Sequence, residues 1–482
     1  MTTMHRTLPD SLLEPLSRLL AECMGLGFPE ERWGDLERGI AAAAPLFAAP
    51  DARACAQRLL SAPLTHCEIE RLASCLTVGE TYFFREPRSF EVFERHILPE
   101  LLHSREHARR LRLWSAGCCT GEEPYSIAML LDRLIPDLGA WNTTLRATDI
   151  NPEFLRKAAR GVYGEWSFRG TPGWVRARWF RRTRAGRYTL DEGIRRRVNF
   201  SILNLADDSY PSLTSNTNAM DVIFCRNVLM YFTAERARKV IENFHRALVD
   251  GGWLIVSPTE TSASLFSGFT AVEFPGAVLY RKLAGAAPQR VVPGYPAPVF
   301  AVPPENLEAP EPAIFPEPVV AQAMESAPAT ATEPGAALAS KQDDPRAAPA
   351  LMARACANQG RLAEAVAWCE QAIAADKLNP ACQYLLATIQ QEQGQGDAAA
   401  QSLTRALYLD PDFVLAHFAL GNLRLAQGRH REAQRHFDTA LALLHAHPHG
   451  EPLPESEGLT AGRLTQIISS VRASLPRAVT GT

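Results

Sequence analysis

Apolar residues follow two different periods along residues 77–283. Short apolar runs of strand length alternate there with segments whose apolar residues recur every three to four positions, as in a helix. The predicted strands cover residues 111–115, 144–148, 198–202, 221–225, 253–257, 271–274 and 277–282. The predicted helices between them lie near residues 122–134, 152–160 and 233–248. This alternation predicts an α/β doubly wound sheet that is mostly parallel, and the short turn at Pro275-Gly276 predicts an antiparallel hairpin at its edge.

The pattern upstream of the sheet is helical. One apolar stripe is formed by Leu12, Leu13, Leu16, Leu19 and Leu20. Further helical segments follow near residues 29–43, 51–60 and 65–76. We therefore predict an N-terminal helical domain over residues 1–77 and the α/β domain over residues 78–283.

Residues 284–348 change in character, because Pro, Ala, Val and Glu dominate them. A segment of this composition cannot bury enough apolar surface to fold by itself. It is predicted to be an extended, partly stiff linker, which would leave the part of the chain after it tethered and not rigidly docked.

An internal repeat of 34 residues follows the linker. Its aligned columns are Gly360, Gly394 and Gly428; Ala365, Ala399 and Ala433; and Ala372, Ala406 and Ala440. Together with Pro411, Leu420-Gly421 and Phe437, this spacing is typical of tetratricopeptide repeats, which are helix–turn–helix units. We predict an all-α module of such repeats over residues 349–448. A helix near residues 462–475 would cap it, within a final segment of residues 449–482.

Composition and charge narrow the class of protein. The formal net charge is −3, so no basic excess points to nucleic acid or to a membrane surface as a partner. The longest apolar runs are strand-length and the N-terminus lacks the apolar segment of a secretory signal, which predicts no membrane insertion. The ten cysteines form no CxxC pair, which favours free thiols in a cytoplasmic protein.

The turn after the first predicted strand carries the clearest chemical signal. Residues 116–121, AGCCTG, connect that strand to a helix that begins Glu122-Glu123-Pro124. A glycine turn at this position lets backbone amides approach a ligand closely. The turn lacks both the GxGxxG and the GxxxxGK[ST] spacing, which argues against NAD and ATP. It suits a nucleoside ligand without phosphate, such as S-adenosylmethionine.

Polar residues stand at the carboxyl ends of two more predicted strands, where open sheets bind ligands. Asp149 follows the second strand and can accept both ribose hydroxyls of a nucleoside, or it can cap the next helix. Arg226 and Asn227 follow the strand at 221–225, and Tyr231 comes one helical turn later, either at the site or packed at a helix edge. Arg85 can equally be a surface residue in a salt bridge.

No Ser/His/Asp set and no metal-ligand spacing is present in the sequence, so no metal is predicted. A reaction compatible with this absence is methyl transfer to a carboxylate. Its reference pKa of about 4.3 keeps the nucleophile ionised near neutral pH, so no general base is required.

Four segments together resemble the chemoreceptor glutamate methyltransferases of the CheR type. They are TYFFRE at 81–86, WSAGCCTGEEPYSIAM at 114–129, ATDI at 147–150 and DVIFCRNVLMYF at 221–232. The resemblance implies methyl transfer from S-adenosylmethionine to glutamates on the cytoplasmic helices of a chemoreceptor, which sets the receptor's adaptation or signalling state. Fusion to tetratricopeptide repeats resembles the WspC-like branch, and the repeats imply a peptide or protein partner.

The resemblance also implies residue roles. The cofactor contacts would come from Thr81, Arg85, Glu123, Asp149, Asn204, Leu205, Arg226 and Asn227. The catalytic pair that flanks the transferred methyl group and places the substrate carboxylate would be Arg85 and Tyr231.

The chain departs from the family pattern at several places. Gly79 stands where members often carry an asparagine, and Ser-Pro-Thr-Glu260 replaces a G-x-S-E ending. The basic N-terminal helix of the family is diluted here to Arg32 and Arg38. A basic run at 176–197 lies in an insertion, about residues 161–197, that forms a small receptor-contacting β-subdomain in the family. This run is predicted either to dock on the receptor or to be a solvated basic surface.

Two other functions remain open at this point. One is methyl transfer to a different acceptor, such as a small acid. The other is a catalytically silent scaffold that assembles partners through its repeats, although the intact motif residues argue against it.

Overall fold

The computed structural model describes residues 8–283 and 348–473, apart from positions 213, 214, 359, 450, 452, 457 and 458. The predicted linker lies outside the described residues, except for its last position, Ala348, which begins a helix. Among the described helices, none combines the length and the apolar character that a membrane span requires.

Ten strands form two sheets. In chain order they are β1 (Arg110–Ala116), β2 (Asn142–Asp149), β3 (Val162–Tyr163), β4 (Phe180–Arg182), β5 (Tyr188–Leu190), β6 (Val198–Ile202), β7 (Met220–Cys225), β8 (Leu248–Val256), β9 (Thr270–Phe274) and β10 (Ala277–Arg281). The central sheet has seven strands in the order β6-β2-β1-β7-β8-β10-β9. Its first five strands are parallel, and β10 pairs antiparallel with β8 and β9. The predicted doubly wound sheet and the hairpin at its edge are confirmed.

The helices are likewise numbered in chain order. They are α1 (Asp10–Met24), α2 (Trp33–Ala43), α3 (Ala52–Ser61), α4 (His66–Leu76), α5 (Pro87–Val92), α6 (Leu98–Ser104), α7 (Glu122–Leu134), α8 (Pro152–Arg160), α9 (Gly173–Trp179), α10 (Glu192–Arg195), α11 (Ala234–Ala247), α12 (Ala348–Asn358), α13 (Leu362–Ala375), α14 (Pro380–Glu392), α15 (Gly396–Leu409), α16 (Val414–Ala426), α17 (His430–Leu444) and α18 (Ala461–Ala473).

Strands β1 and β7 at the centre of the sheet are buried along nearly their whole length. Both faces of the sheet are therefore covered by other elements. Successive side chains of a strand point to opposite faces, so neighbours enter different cores. Leu113 packs in the core that includes α7, whereas Trp114 packs in the core that includes α11. Strand β8 begins five residues earlier than predicted, since a bulge around Gly251 interrupts its apolar period.

The N-terminal helices α1–α4 enclose a core of their own, against which Ile150 of the α/β domain also packs. Helix α4 begins with a capping box, in which Thr65 and Glu68 satisfy each other's backbone amides. The loop after α1 pairs with the segment before α11, because the Gly27 amide donates to the Tyr231 carbonyl at 2.8 Å. The helical domain therefore adjoins the carboxyl edge of the sheet.

Strands β3, β5 and β4 form the second sheet, within the insertion that follows α8. Phe83 anchors it to the rest of the domain, with its ring centroid 4.9 Å from Tyr163, 5.1 Å from Phe168 and 5.0 Å from Phe180. The TYFF motif thus holds the insertion beside the segment that carries Arg85.

Helices α12–α17 form three antiparallel pairs, and α18 packs on the last of them. All six alanines of the two aligned columns are buried between helices, as close packing of a repeat requires. A Cβ at Gly421 would lie 2.6 Å from the ring of Phe437, so glycine at this position leaves the space that the phenylalanine ring occupies. The all-α tetratricopeptide module is confirmed.

One expectation about the repeats is wrong. The linker composition predicted a module that is tethered and not docked, but the repeats and the α/β domain belong to the same compact unit. Glu392 at the end of α14 forms an ion pair with Arg110 at the start of β1. Linker composition governs only the stiffness of the tether and carries no information about complementary surfaces elsewhere in the chain.

Candidate active site

The nine residues singled out in the sequence line one cavity with about 1090 Å³ of empty space, part of it open to solvent. The cavity lies at the carboxyl ends of β1, β2, β6 and β7, where a doubly wound sheet binds its ligands. Its lining includes Thr81, Arg85, Glu123, Asp149, Asn204, Leu205, Arg226, Asn227 and Tyr231. The structure brings these residues together from five separate segments, and the role of each stays a prediction.

The glycine turn after β1 is fixed from both sides. The amides of Gly117 and Cys118 donate to the Thr148 carbonyl at 2.8 and 2.9 Å. A Cβ at Gly117 would lie 2.4 Å from the Val228 side chain, and its φ of 76° favours glycine as well. Cys119 also adopts a positive φ, of 49°, and its amide points at Asp149. The turn is a rigid backbone cradle at the cavity wall.

Asp149 is held as an acceptor that faces the cavity. Its two carboxylate oxygens accept the amides of Cys119 and Asn151, each at 2.9 Å. The cap of α8 is Asn151, whose side chain accepts the amides of Glu153 and Phe154. The alternative that Asp149 caps this helix is therefore wrong. Burial raises the pKa of Asp149 to about 6, although the backbone hydrogen bonds oppose that shift.

Arg226 links three parts of the site. Its guanidinium pairs with Glu123 of α7 at 3.1 Å and with Glu86 at 3.0 Å, and it donates to the Arg85 carbonyl. Only 2% of its side chain is exposed, and Glu123 also accepts from Ser115 at 2.7 Å. Burial raises the pKa of Glu123, and the charge of Arg226 opposes the rise. Arg226 and its two glutamate partners therefore form a fixed part of the cavity wall that carries both positive and negative charge.

Glu86 has a structural role that the sequence reasoning missed. Besides Arg226, it accepts from the side-chain amide of Asn227 and from the Ser257 hydroxyl, both at 3.1 Å. Both Glu86 and Asn227 adopt positive φ, of 55° and 58°. Strained backbone of this kind persists where surrounding contacts determine it, and it concentrates at functional sites. The only signal in the sequence was the acidic last position of TYFFRE.

Arg85 and Tyr231 each line the cavity with a polar group that has no charged partner among the described residues. The Arg85 guanidinium donates to the Glu80 carbonyl at 2.5 Å and forms no ion pair with any described residue. The Tyr231 ring lies 5.8 Å from the Arg32 guanidinium, and its hydroxyl has no hydrogen-bond partner within the described ranges. Arg32 was noted in the sequence only as part of a diluted basic helix, yet it lines the same cavity.

The side chain of Asn204 is engaged by other protein groups at the cavity rim. Its side-chain amide donates to the Cys23 carbonyl and to Asp207, both at 2.8 Å, so it ties the end of α1 to the cavity rim. Its side-chain oxygen accepts the Ala206 amide at 3.1 Å. A ligand that reaches this position would therefore meet main-chain atoms of residues 204–205.

Comparison with known proteins identifies the families that the two parts of the chain match. Residues 79–275 match the family described as "CheR methyltransferase, SAM binding domain", and residues 350–377 and 390–450 match tetratricopeptide repeats. The probable biofilm formation methyltransferase WspC of Pseudomonas aeruginosa is 33% identical over 375 residues, which cover 76% of this chain and 84% of that relative. The chain belongs to the CheR family of methyltransferases. WspC of Pseudomonas putida is 31% identical with the same coverage, and chemotaxis protein methyltransferase 1 of P. aeruginosa is 36% identical over 44% of this chain and 77% of its own.

Gly79, the departure from the CheR pattern in the first motif, has a local cause. A Cβ at this position would lie 2.8 Å from the ring of Phe154, which lines the cavity. An asparagine could not fit beside that ring without displacing it. Phe154 therefore occupies the space that a side chain at position 79 would need in this protein.

The segment Ser-Pro-Thr-Glu260 departs from the G-x-S-E ending of the family but still contains a serine and a glutamate. Ser257 and Glu260 form a capping box around the turn that follows β8. The Glu260 carboxylate accepts the amides of Asn227 and Val228, both at 2.7 Å, and of Met230 at 3.2 Å. It therefore shapes the loop that carries Arg226 and Asn227 in this CheR protein.

Proposed function

We propose that this CheR-family protein methylates glutamate side-chain carboxylates on a chemoreceptor, with S-adenosylmethionine as methyl donor, and thereby sets the receptor's signalling state. One observation carries the proposal: the unpaired Arg85 guanidinium and the free Tyr231 hydroxyl line the same cavity as Asp149. A cation without a protein counter-ion beside an acceptor for ribose suits a site that must hold a nucleoside and a second, anionic group.

The residues of the cavity fit the methyl donor. Asp149 would accept the ribose hydroxyls, and the backbone cradle at 117–119 would approach the ligand closely. The Arg226–Glu123 pair offers both a donor and an acceptor, as an amino acid moiety with its ammonium and carboxylate requires. When bound, S-adenosylmethionine supplies an electrophilic methyl group on a sulfonium centre.

The chain's own residues would then align the acceptor. Arg85 would hold one oxygen of the substrate carboxylate, and the Tyr231 hydroxyl would orient the carboxylate toward the cavity. Since the carboxylate is ionised near neutral pH, alignment and exclusion of water are what the site must provide. Apolar lining residues such as Phe90, Leu76 and Phe232 would exclude water from the reacting groups.

The protein substrate is inferred from relatives and from charge. CheR relatives are named as chemotaxis protein methyltransferases, and the insertion carries the basic run at 176–197. Part of that run is paired, because Arg176 contacts Glu165 and Arg195 contacts Glu192. Arg181, Arg182 and Arg184 form no ion pair with the described residues, so they would be the ones available to an acidic receptor helix. The repeats would bind a further peptide or protein partner.

Tritium transfer tests the proposal. Purified protein is incubated with methyl-tritiated cofactor and purified chemoreceptor, and the expected result is receptor label that base releases as methanol, as a carboxyl methyl ester requires. Label on small acids but not on receptor would assign another acceptor. Cofactor binding without transfer to any acceptor would identify a silent scaffold and overturn the proposal.

A further inference from the structure

Among the described residues, a single carboxylate of the repeats, that of Glu392, forms an ion pair with the catalytic domain. Glu392 accepts from Arg110 at 3.0 Å and from the Asn218 side-chain amide at 3.1 Å. Its main-chain carbonyl accepts from the Asn142 side chain at 3.0 Å. The side chain of Glu392 is 6% exposed and that of Arg110 is 15% exposed, so water is largely excluded from this ion pair.

The end of helix α14 is completed by the catalytic domain. The last carbonyls of a helix have no partner within the helix and carry a partial negative charge. Asn142 donates to one of them, and the positive charge of Arg110 lies beside the same helix end. Both the side chain and the backbone of Glu392 thus find partners that lie some 170 to 280 positions away in the sequence.

The edge that receives Glu392 is rich in buried arginine. Arg112 is buried beside Arg110, and Arg146 is partly buried beside Arg112. Their guanidinium groups donate only to neutral oxygens, those of Asn216, Asn218, Ser201 and Ser215. Asp221 is already engaged by Arg105 at 2.9 Å. Burial and, to a lesser extent, the neighbouring charge of Arg112 lower the pKa of Arg110 to about 10, although the charge of Glu392 opposes this shift. Among the described residues, Glu392 is the only carboxylate that pairs with Arg110.

The turns of the first two repeats contact the same edge. A Cβ at Gly360 would lie 3.3 Å from Val249 and 3.5 Å from Ala219, and one at Gly394 would lie 3.2 Å from Asn142. The equivalent Gly428 of the third repeat has nothing within 4 Å. All three glycines have φ of 73–76°, so their turns are alike and only their surroundings differ.

We propose that the amino edge of the central sheet is a docking site for the repeats and that the Glu392 carboxylate is the group this site recognises. The site comprises Arg110, Asn142, Asn218, Ala219 and Val249, at the starts of β1, β2, β7 and β8. The cavity lies at the opposite ends of these strands, roughly 20 Å away for a seven-residue strand. Docking therefore leaves the cavity open and holds any partner of the repeats at a fixed position relative to it.

Cross-linking in the full chain tests the docked position. A Cβ at position 394 would lie 4.0 Å from the Asn142 Cβ, which is within the range of a disulfide. Asn142→Cys combined with Gly394→Cys should form this bond under mild oxidation. The matched control is Asn142→Cys with Gly428→Cys, which carries the same backbone strain and should not cross-link. Equal cross-linking of the two pairs would overturn the proposal.

The role of Glu392 is tested by protection of a thiol. In a Gly360→Cys variant the new side chain would face Val249 and Ala219 of the docked edge, so its alkylation, followed by peptide mass spectrometry, reports the undocked fraction. Adding Glu392→Gln should raise the alkylation rate at least about tenfold, which corresponds to about 1.4 kcal/mol. Adding Glu364→Gln, a change at an exposed glutamate that pairs with Arg361 at the start of α13, should not change this rate. Unchanged alkylation with folded Glu392→Gln protein, verified by circular dichroism, would remove Glu392 from the docking site.

Discussion

The two edges of the central sheet both hold buried arginines, but they balance the charge differently. At the carboxyl edge Arg226 lies between Glu86 and Glu123, and all three belong to the catalytic domain. At the amino edge, Glu392 of the repeats is the only described carboxylate that pairs with Arg110. The charge of Arg226 is therefore balanced within its own domain, whereas the charge of Arg110 is balanced by a group from a distant part of the chain.

This difference has a functional consequence. A buried charge that is balanced inside one domain fixes the geometry of a site, and its removal should affect folding and chemistry together. A charge that is balanced across an interface fixes the position of one part of the molecule relative to another. Substitutions at the two edges should therefore have separable effects on catalysis and on docking.

The largest effect is expected from Arg226→Met. This change leaves the largely buried Glu123 and the partly exposed Glu86 without their shared counter-ion, and breaking a buried pair from one side costs about 3–5 kcal/mol. The free energy of unfolding, measured by urea denaturation, should fall by that amount. Arg88→Met is the control, because Arg88 pairs with Glu91 at the exposed surface, where a pair contributes about 0–1 kcal/mol. Equal losses in the two variants would contradict the balance described for the carboxyl edge.

Arg85→Ala and Tyr231→Phe should lower the methylation rate while the fold persists. Neither group has an ion-pair partner in the described chain, so their removal leaves no buried charge uncompensated. Loss of a group that positions the reacting carboxylate should reduce the rate roughly 10²-fold, measured as tritium incorporation into receptor. Wild-type rates in both variants would show that the roles implied by the family resemblance do not apply to these positions.

Local patterns were sufficient for the seven strands of the central sheet and for the position of the cavity, whereas they did not predict helices α5 and α6 or strands β3–β5. The strand predicted at 198–202 is observed at Val198–Ile202, and the glycine turn and Asp149 meet at the predicted edge. These features depend on neighbours in sequence or on the general rule for parallel sheets. The Glu86–Asn227 and Glu392–Arg110 contacts join residues more than 140 positions apart, and no periodicity encodes such pairs. Gly79 likewise acquires its explanation only from Phe154 across the fold.

Asp149→Ala tests the carboxyl edge without disturbing its ion pairs. Asp149 accepts two backbone amides and is proposed to accept the ribose hydroxyls. Its removal should weaken S-adenosylmethionine binding by about 1–3 kcal/mol, measured by calorimetry. An unchanged affinity in the folded variant would exclude Asp149 from the cofactor site.

The pH dependence of binding refines the same test. The pKa of Asp149 is about 6 in the free protein, above its ordinary value of about 3.9, so the folded state binds its proton first. Between these values the stability of the free protein should rise as the pH falls. Cofactor affinity should change in the opposite direction, because hydroxyl donors require the ionised carboxylate, and it should fall by up to about tenfold per pH unit below pH 6. Asp149→Asn should abolish this slope; a slope that persists would belong to another group.

The smallest effect on cofactor affinity is expected from truncation after Leu283, which removes the docked repeats altogether. Every residue that lines the cavity precedes this position, and the docking site lies at the opposite ends of the strands. Distant changes usually combine independently, so affinity measured by calorimetry should stay within about 0.5 kcal/mol of the full chain. The loss of the Glu392 partner of Arg110 should lower the free energy of unfolding of the truncated protein only slightly, because water then reaches this edge of the sheet and hydrates the guanidinium group. The truncated protein should also methylate receptor at saturating concentration. A folded, cofactor-binding truncation that is inactive at every receptor concentration would show that the repeats belong to the catalytic unit, and the two edges would not be separable.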